Sequence, residues 1–181
     1  MKKIIILTVL SFFTFISRAQ FVLTPNDGLK TADGVYTIKR VGTELDNYQA
    51  AMKAVKTVIP DAVIEEPEFE KVFTVKAKTN IKMKVAMMLK SLMFTAEYTL
   101  KIEAEDNMIL VSYEKLGQFE YRKKNNVAYL YPWSGHNSYM VQMGQEYYLF
   151  NSSGDLKAPK AKTSIEEWAN GLVSQIEQAL K

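Results

Sequence analysis

The sequence predicts an α+β domain in which a curved antiparallel sheet carries two helices, one from the N-terminal half and one at the C-terminus, on a single face. Three observations lead there. Phe73 to Val85 and Phe94 to Ala104 each alternate apolar and polar residues, the period of a half-buried strand. Leu45, Tyr48, Met52, Val55 and Ile59 recur at spacings of three and four, and so do Ile165, Trp168, Leu172, Ile176 and Leu180, the period of a helix with one buried stripe. No internal repeat or low-complexity tract interrupts these elements.

The first nineteen residues read as a secretory signal. Lys2 and Lys3 precede a mostly apolar run, Ile4 to Ile16, shorter than the roughly twenty residues that cross a bilayer as a helix. Ser17 and Ala19 supply the small residues that signal peptidase accepts, which places the cut before Gln20. The expected product is periplasmic or extracellular. It is not a lipoprotein and has no disulfide framework, because the chain contains no cysteine. No transmembrane segment is expected after cleavage. The precursor's net charge of +3 disappears with Lys2, Lys3 and Arg18, so charge gives no reason to expect a nucleic-acid partner.

The remainder divides into an irregular lead-in, residues 20–34, rich in turn formers such as Pro25, Asp27 and Gly28, and one domain over residues 35–181. Val35 to Val41 alternates as a first strand and closes at Gly42. Thr43 and Asp46 form a capping-box pair that opens a helix, and Pro60 ends it by excluding the residue before it from helical geometry. On this reading Leu45 and Tyr48 face the core while Glu44, Asp46 and Asn47 face water. A short strand follows at Ala62 to Ile64. The stretch from Phe73 to Val85 is either one long strand or a pair turning at Thr79 and Asn80. Residues 86–93 break the alternation and stay unassigned. Phe94 to Ala104 and Met108 to Tyr113 form a hairpin across Glu105, Asp106 and Asn107. Phe119 to Arg122 pairs with Val127 to Tyr131, and Tyr147 to Phe150 leads into a turn at Asn151 to Gly154. The last helix is capped at Thr163 or Ser164 with Glu166 or Glu167 three residues on, and Gly171 weakens it by about 1 kcal/mol relative to alanine.

Catalytic signatures are missing from this pattern. The only histidine, His136, lies two residues from Ser134 on one loop, a spacing unsuited to proton transfer from a nucleophile. It would leave any metal site to carboxylates, so neither a catalytic nor a metal site is expected, and no cofactor fingerprint occurs among the glycines. Glu65, Glu66, Glu68 and Glu70 precede Lys71, Lys76 and Lys78, and read as charges neutralising one another across neighbouring strands. Lys76, Lys78, Lys82 and Lys84 share a face that reads as solvated, with anionic glycan or lipid headgroups as the functional alternative.

Aromatic density is the positive signal. Seven of the ten tyrosines fall in residues 113–148, with Phe119 and Trp133 among them. Tyrosine and tryptophan combine large apolar area with a polar tip, which suits recognition as well as sheet packing. The candidate binding residues are Tyr121, Tyr129, Tyr131, Trp133, Tyr139 and Tyr147.

Taken in order, the exported start, the strand Tyr36 to Val41 running into Thr43-Glu44-Leu45-Asp46-Asn47-Tyr48, and the run Phe94 to Asn107 resemble a family of secreted Bacteroidota domains of unknown function. The resemblance spans roughly residues 35–122 and departs after Asp106, where Asn107-Met108-Ile109 stands in place of a glycine- and arginine-rich continuation. It implies a TATA-binding-protein-like fold and carries over no catalytic residue. The function expected is a non-enzymatic envelope module binding a protein or a glycan through the tyrosine-rich strands. One alternative is a carrier of an apolar ligand between sheet and C-terminal helix, lined by Met83, Met87, Met88 and Met93; the other is a hydrolase built on acids distant in sequence.

Overall fold

A computed structural model of the chain describes residues 20–67, 71–84, 91–124, 126–135 and 146–181. The signal segment, Glu68, Glu70, most of the unassigned stretch 86–93, His136 and Tyr139 lie outside these residues.

The elements are β1 (Val22–Thr24), β2 (Gly28–Lys30), β3 (Tyr36–Lys39), α1 (Glu44–Val58), β4 (Val63–Glu65), β5 (Val72–Met83), β6 (Leu92–Glu105), β7 (Met108–Leu116), β8 (Phe119–Lys123), β9 (Asn126–Ser134), β10 (Glu146–Phe150) and α2 (Pro159–Ala179). Among the described residues, eight strands form one sheet in which β5 pairs with β6 along its whole length. The other side of β6 is shared. Its C-terminal half pairs with β7, which in turn pairs with β3, and Thr95 nearer its start pairs with Glu120 of β8, which leads to β9 and β10. The chain passes from β7 to β8 at Gly117, whose amide donates to the Glu97 carbonyl at 2.8 Å. A Cβ there would stand 3.0 Å from that oxygen, so the close approach favours glycine.

The long alternating run is one strand. β5 continues through Thr79 and Asn80 without turning, and Asn80 accepts a hydrogen bond from Thr95 Oγ1 across the pair at 2.6 Å. Phe73, Val75, Ile81 and Met83 are buried toward the helices together with Phe94, Leu100 and Ile102 of β6, while Lys76, Lys78 and Lys82 project to the open face. The sheet is antiparallel except at β9 and β10, which run parallel, a departure from the all-antiparallel expectation.

α1 begins at the predicted capping box, with Thr43 Oγ1 accepting from the Asp46 amide and the Asp46 carboxylate accepting from the Thr43 amide. Its buried face matches the expected one only in part: Val55 and Ile59 are buried and Tyr48 and Met52 pack against the core. Asn47, Ala51, Ala54 and Val55 face the core, whereas Leu45 is half exposed. Asn47 is fully buried because it has work to do there: Nδ2 donates to the Glu105 carbonyl at 2.8 Å, and Oδ1 accepts from Arg40 Nη1 at 2.7 Å. The turn it holds is the predicted β6–β7 hairpin, where Asn107 takes a left-handed φ of 63° and Asp106 accepts from the Glu44 amide at the start of α1.

α2 starts at Pro159, one turn before the expected cap. Thr163 and Ser164 instead donate to the carbonyls of Pro159 and Lys160 inside the helix, and proline at the first position needs no amide partner. The lead-in also differs from its sequence reading. β1 and β2 form an antiparallel hairpin whose Phe21, Leu23 and Leu29 are buried. α2 holds this hairpin through side chains: Asn170 bonds both the amide and the carbonyl of Phe21, and Glu166 accepts from the Leu23 amide at 2.8 Å. Tyr98, Tyr113 and Trp168 fill the space between sheet and α2, with ring centroids 5.0 Å apart for Tyr98 and Trp168 and 5.8 Å for Tyr113 and Trp168.

Candidate functional site

The pleat sorts the tyrosine-rich region onto two sides. Phe119 of β8 lies opposite Leu130, and Tyr121 opposite Ala128, so Tyr121 faces the helices and packs against Phe94. Tyr147 lies opposite Leu130 in the parallel pair and packs against the same core. Tyr113 is wholly core, its hydroxyl donating to the Ala169 carbonyl at 3.1 Å, and burial holds its pKa well above the ordinary tyrosine value. Burial likewise pushes Tyr98 up to about 12.

Tyr129, Tyr131 and Trp133 alternate with the buried Ala128 and Leu130, and so stand on the open face. Tyr148, opposite Tyr131 in β10, joins them. The Tyr131 and Tyr148 rings stack at 4.8 Å with planes 22° apart, and Trp133 tilts against Tyr131 at 5.4 Å. The Tyr131 hydroxyl donates to Glu146 Oε1 at 3.2 Å; partial burial first, and this carboxylate second, raise its pKa. Trp133 remains 41% exposed, an unusual state for so large a ring. Gly135 lets the stack form. A Cβ on it would overlap the Tyr148 ring at 2.0 Å from Cδ1.

Beside this platform the open face forms a groove of about 830 Å³, bordered by Met93, Thr95, Gln118, Glu120, Arg122 and Trp133. Glu120 and Arg122 pair at 2.7 Å along it. The arrangement sets flat apolar rings next to charged and amide groups.

Of the residues picked from sequence, the platform therefore unites Tyr129, Tyr131 and Trp133, while Tyr121 and Tyr147 are set against the core. Tyr148 is the residue sequence reasoning passed over. Parity could have found part of this, since Tyr121 alternates in step with Phe119 and Tyr147 with Leu149; the stacking of Tyr148 on Tyr131 depends on the parallel pairing of β9 and β10, which no local pattern announces.

The other sequence constellations are dispersed or neutralised. Lys76 pairs with Glu65 at 2.7 Å across neighbouring strands, as expected of the acidic run, whereas Lys78 pairs with Glu97 of β6 at 3.2 Å, and both pairs are solvent-exposed. Met83 is buried toward the helices while Met93 is exposed on the open face, so these two do not line one cavity. Among the described residues, no three His, Cys, Asp or Glu side chains converge to hold a metal ion, and no helix is long and apolar enough to cross a membrane.

The same architecture occurs in solved structures. A DUF4468 family protein from Bacteroides ovatus matches with a TM-score of 0.56 at 14% identity, covering 91% of this chain and 94% of that one. A TBP-like protein from Parabacteroides distasonis matches with a TM-score of 0.52 at 12% identity, covering 81% and 92%. At such identities the likeness is one of fold, and at that level it agrees with the Bacteroidota domain of unknown function and TATA-binding-protein-like fold that the sequence resembles. No family model and no curated protein matches the chain.

Proposed function

We propose that the chain is an exported, non-enzymatic binding module of the cell envelope, and that a protein or glycan partner seats on the platform of Tyr129, Tyr131, Trp133 and Tyr148. The observation that carries this reading is the stacked set of rings on the open face with Trp133 left 41% exposed. Burying such a ring against a partner contributes about 1.5–3 kcal/mol, so leaving it in water is a standing incentive to bind. The Glu120–Arg122 pair and the adjoining groove supply polar partners for orientation. Export is supported by the sequence of the first nineteen residues, and cleavage there would leave the core residue Phe21 one position from the new terminus.

The test compares the wild-type protein with a Tyr131→Ala/Trp133→Ala variant on a glycan array and in affinity capture from its own envelope. Both changes sit on the open face, so far-ultraviolet circular dichroism and the urea midpoint should be close to wild type. The reading expects a captured glycan or protein that the variant loses by about tenfold or more, in keeping with aromatic anchors. Equal capture by both would contradict it.

A further inference from the structure

One side of β5 is incomplete. β6 pairs with the strand from Val72 to Met83, but β4 covers its other side only from Thr74 to Lys76. Among the described residues, nothing pairs with that side from Ala77 to Met83. An extended run of this kind presents alternate backbone donors and acceptors to any strand that reaches it.

The short β4 shows what chemistry suits this edge. Ile64 packs on the core, whereas Glu65 turns to the open face and pairs with Lys76. Past the start of β4 the same two-sided environment continues without a strand in it. A groove of about 940 Å³ runs along this edge, lined toward the helices by Val58, Ile59, Ala77, Tyr98, Trp168 and Leu172 and toward the open face by Lys76, Lys78 and Asn80. Toward the open face stand Lys78 and Lys82. Lys78 shares Glu97, both of them largely in water, and Lys82 lies opposite Met93 with no ion-pair partner among the described residues. A second copy of this edge would set lysine against lysine, which disfavours self-pairing and favours an acidic visitor.

We propose that the β5 edge from Ala77 to Met83 takes an extended, acidic segment of a partner protein as an added strand. Alternate apolar side chains of that segment enter the groove beside Trp168, and alternate carboxylates meet Lys78 and Lys82. This surface adjoins the groove beside the aromatic platform, which also has Lys78 and Glu97 in its lining, but it does not include the stacked rings, and neither proposal depends on the other.

Amide hydrogen exchange followed by NMR on the purified protein tests it, using as probe a synthetic peptide of about eight residues that alternates valine and glutamate, long enough to span the edge. Slowed exchange should be confined to alternate amides of residues 77–83. It should be lost when the peptide's pairing amides are N-methylated or its glutamates replaced by lysines. Lys82→Glu should weaken the peptide about fivefold, the swing expected from one cross-strand charge pair. Trp133→Ala should leave it unchanged. Absence of protection at 77–83 up to about 1 mM peptide, a concentration that registers even weak association, would overturn the proposal. So would equal binding by the N-methylated peptide, or protection that grows with protein concentration alone, which would make the occupant a second copy.

Discussion

Replacing Asn47 with alanine removes the side chain that ties three segments together. Asn47 is fully buried and makes two well-formed bonds, to the Glu105 carbonyl at 2.8 Å and from Arg40 at 2.7 Å, along with two marginal ones at 3.4 Å to the carbonyls of Arg40 and Gly42. Losing the donor to Glu105 leaves a carbonyl at the hairpin turn short of a partner, at about 1–3 kcal/mol. Losing the acceptor for Arg40 costs less, about 0.5–1 kcal/mol, because the half-exposed guanidinium regains water. The expected destabilisation is about 3 kcal/mol, a midpoint in urea lowered by about 1.5 M for a slope near 2 kcal/mol/M. Asn47→Asp should be at least as damaging, since it keeps the acceptor for Arg40 while aiming a carboxylate at the Glu105 carbonyl. Gln49→Ala, on the exposed side of α1, is the control and should stay within about 0.5 kcal/mol of wild type. An Asn47→Ala midpoint within about 0.3 M of wild type would refute the claim that this side chain organises the junction.

Three further outcomes follow from the same geometry. Gly171→Ala should stabilise the protein by about 0.5–1 kcal/mol in urea melts, because a Cβ there meets nothing within 4 Å and the helix gains propensity. Alkaline titration should leave stability flat below about pH 10 and erode it as pH rises toward 12: Tyr98 and Tyr113 hold their protons more tightly folded than unfolded, so the unfolded chain releases them first. Tyr113→Phe should blunt that decline. Gly135→Ala should force the Tyr148 ring off Tyr131, visible as a changed near-ultraviolet circular dichroism signal with little change in secondary structure.

How far the sequence could be read depended on the range of the interactions. The capping box at Thr43, the stop at Pro60, the alternation of β5 and β6 and the turn at Asp106 and Asn107 are local patterns, and each appears where it was expected. The face of α1 is legible at Tyr48, Met52, Val55 and Ile59 but not at its start, where the large apolar Leu45 is half exposed while the helix buries Ala51, Ala54 and Asn47, the last for a partner far away in sequence. The β1–β2 hairpin is too short to show a period, and its place in the core is secured by Asn170 and Glu166 near the other end of the chain. The platform was half legible for the same reason: Tyr129, Tyr131 and Trp133 share a strand and a parity, while Tyr148 arrives by a parallel pairing that depends on tertiary structure.

The claim that the open-face platform is where a partner binds is tested most directly by photo-crosslinking in intact cells. A photoreactive amino acid replaces Met93, which is 53% exposed and borders the groove shared with Trp133, and the control carries it at Val41, which is 91% exposed and does not border that groove. The account predicts a discrete crosslinked species at position 93 that is missing at position 41 and disappears when Trp133→Ala is added. Crosslinking that is the same at both positions, or that persists unchanged without the tryptophan, would contradict it.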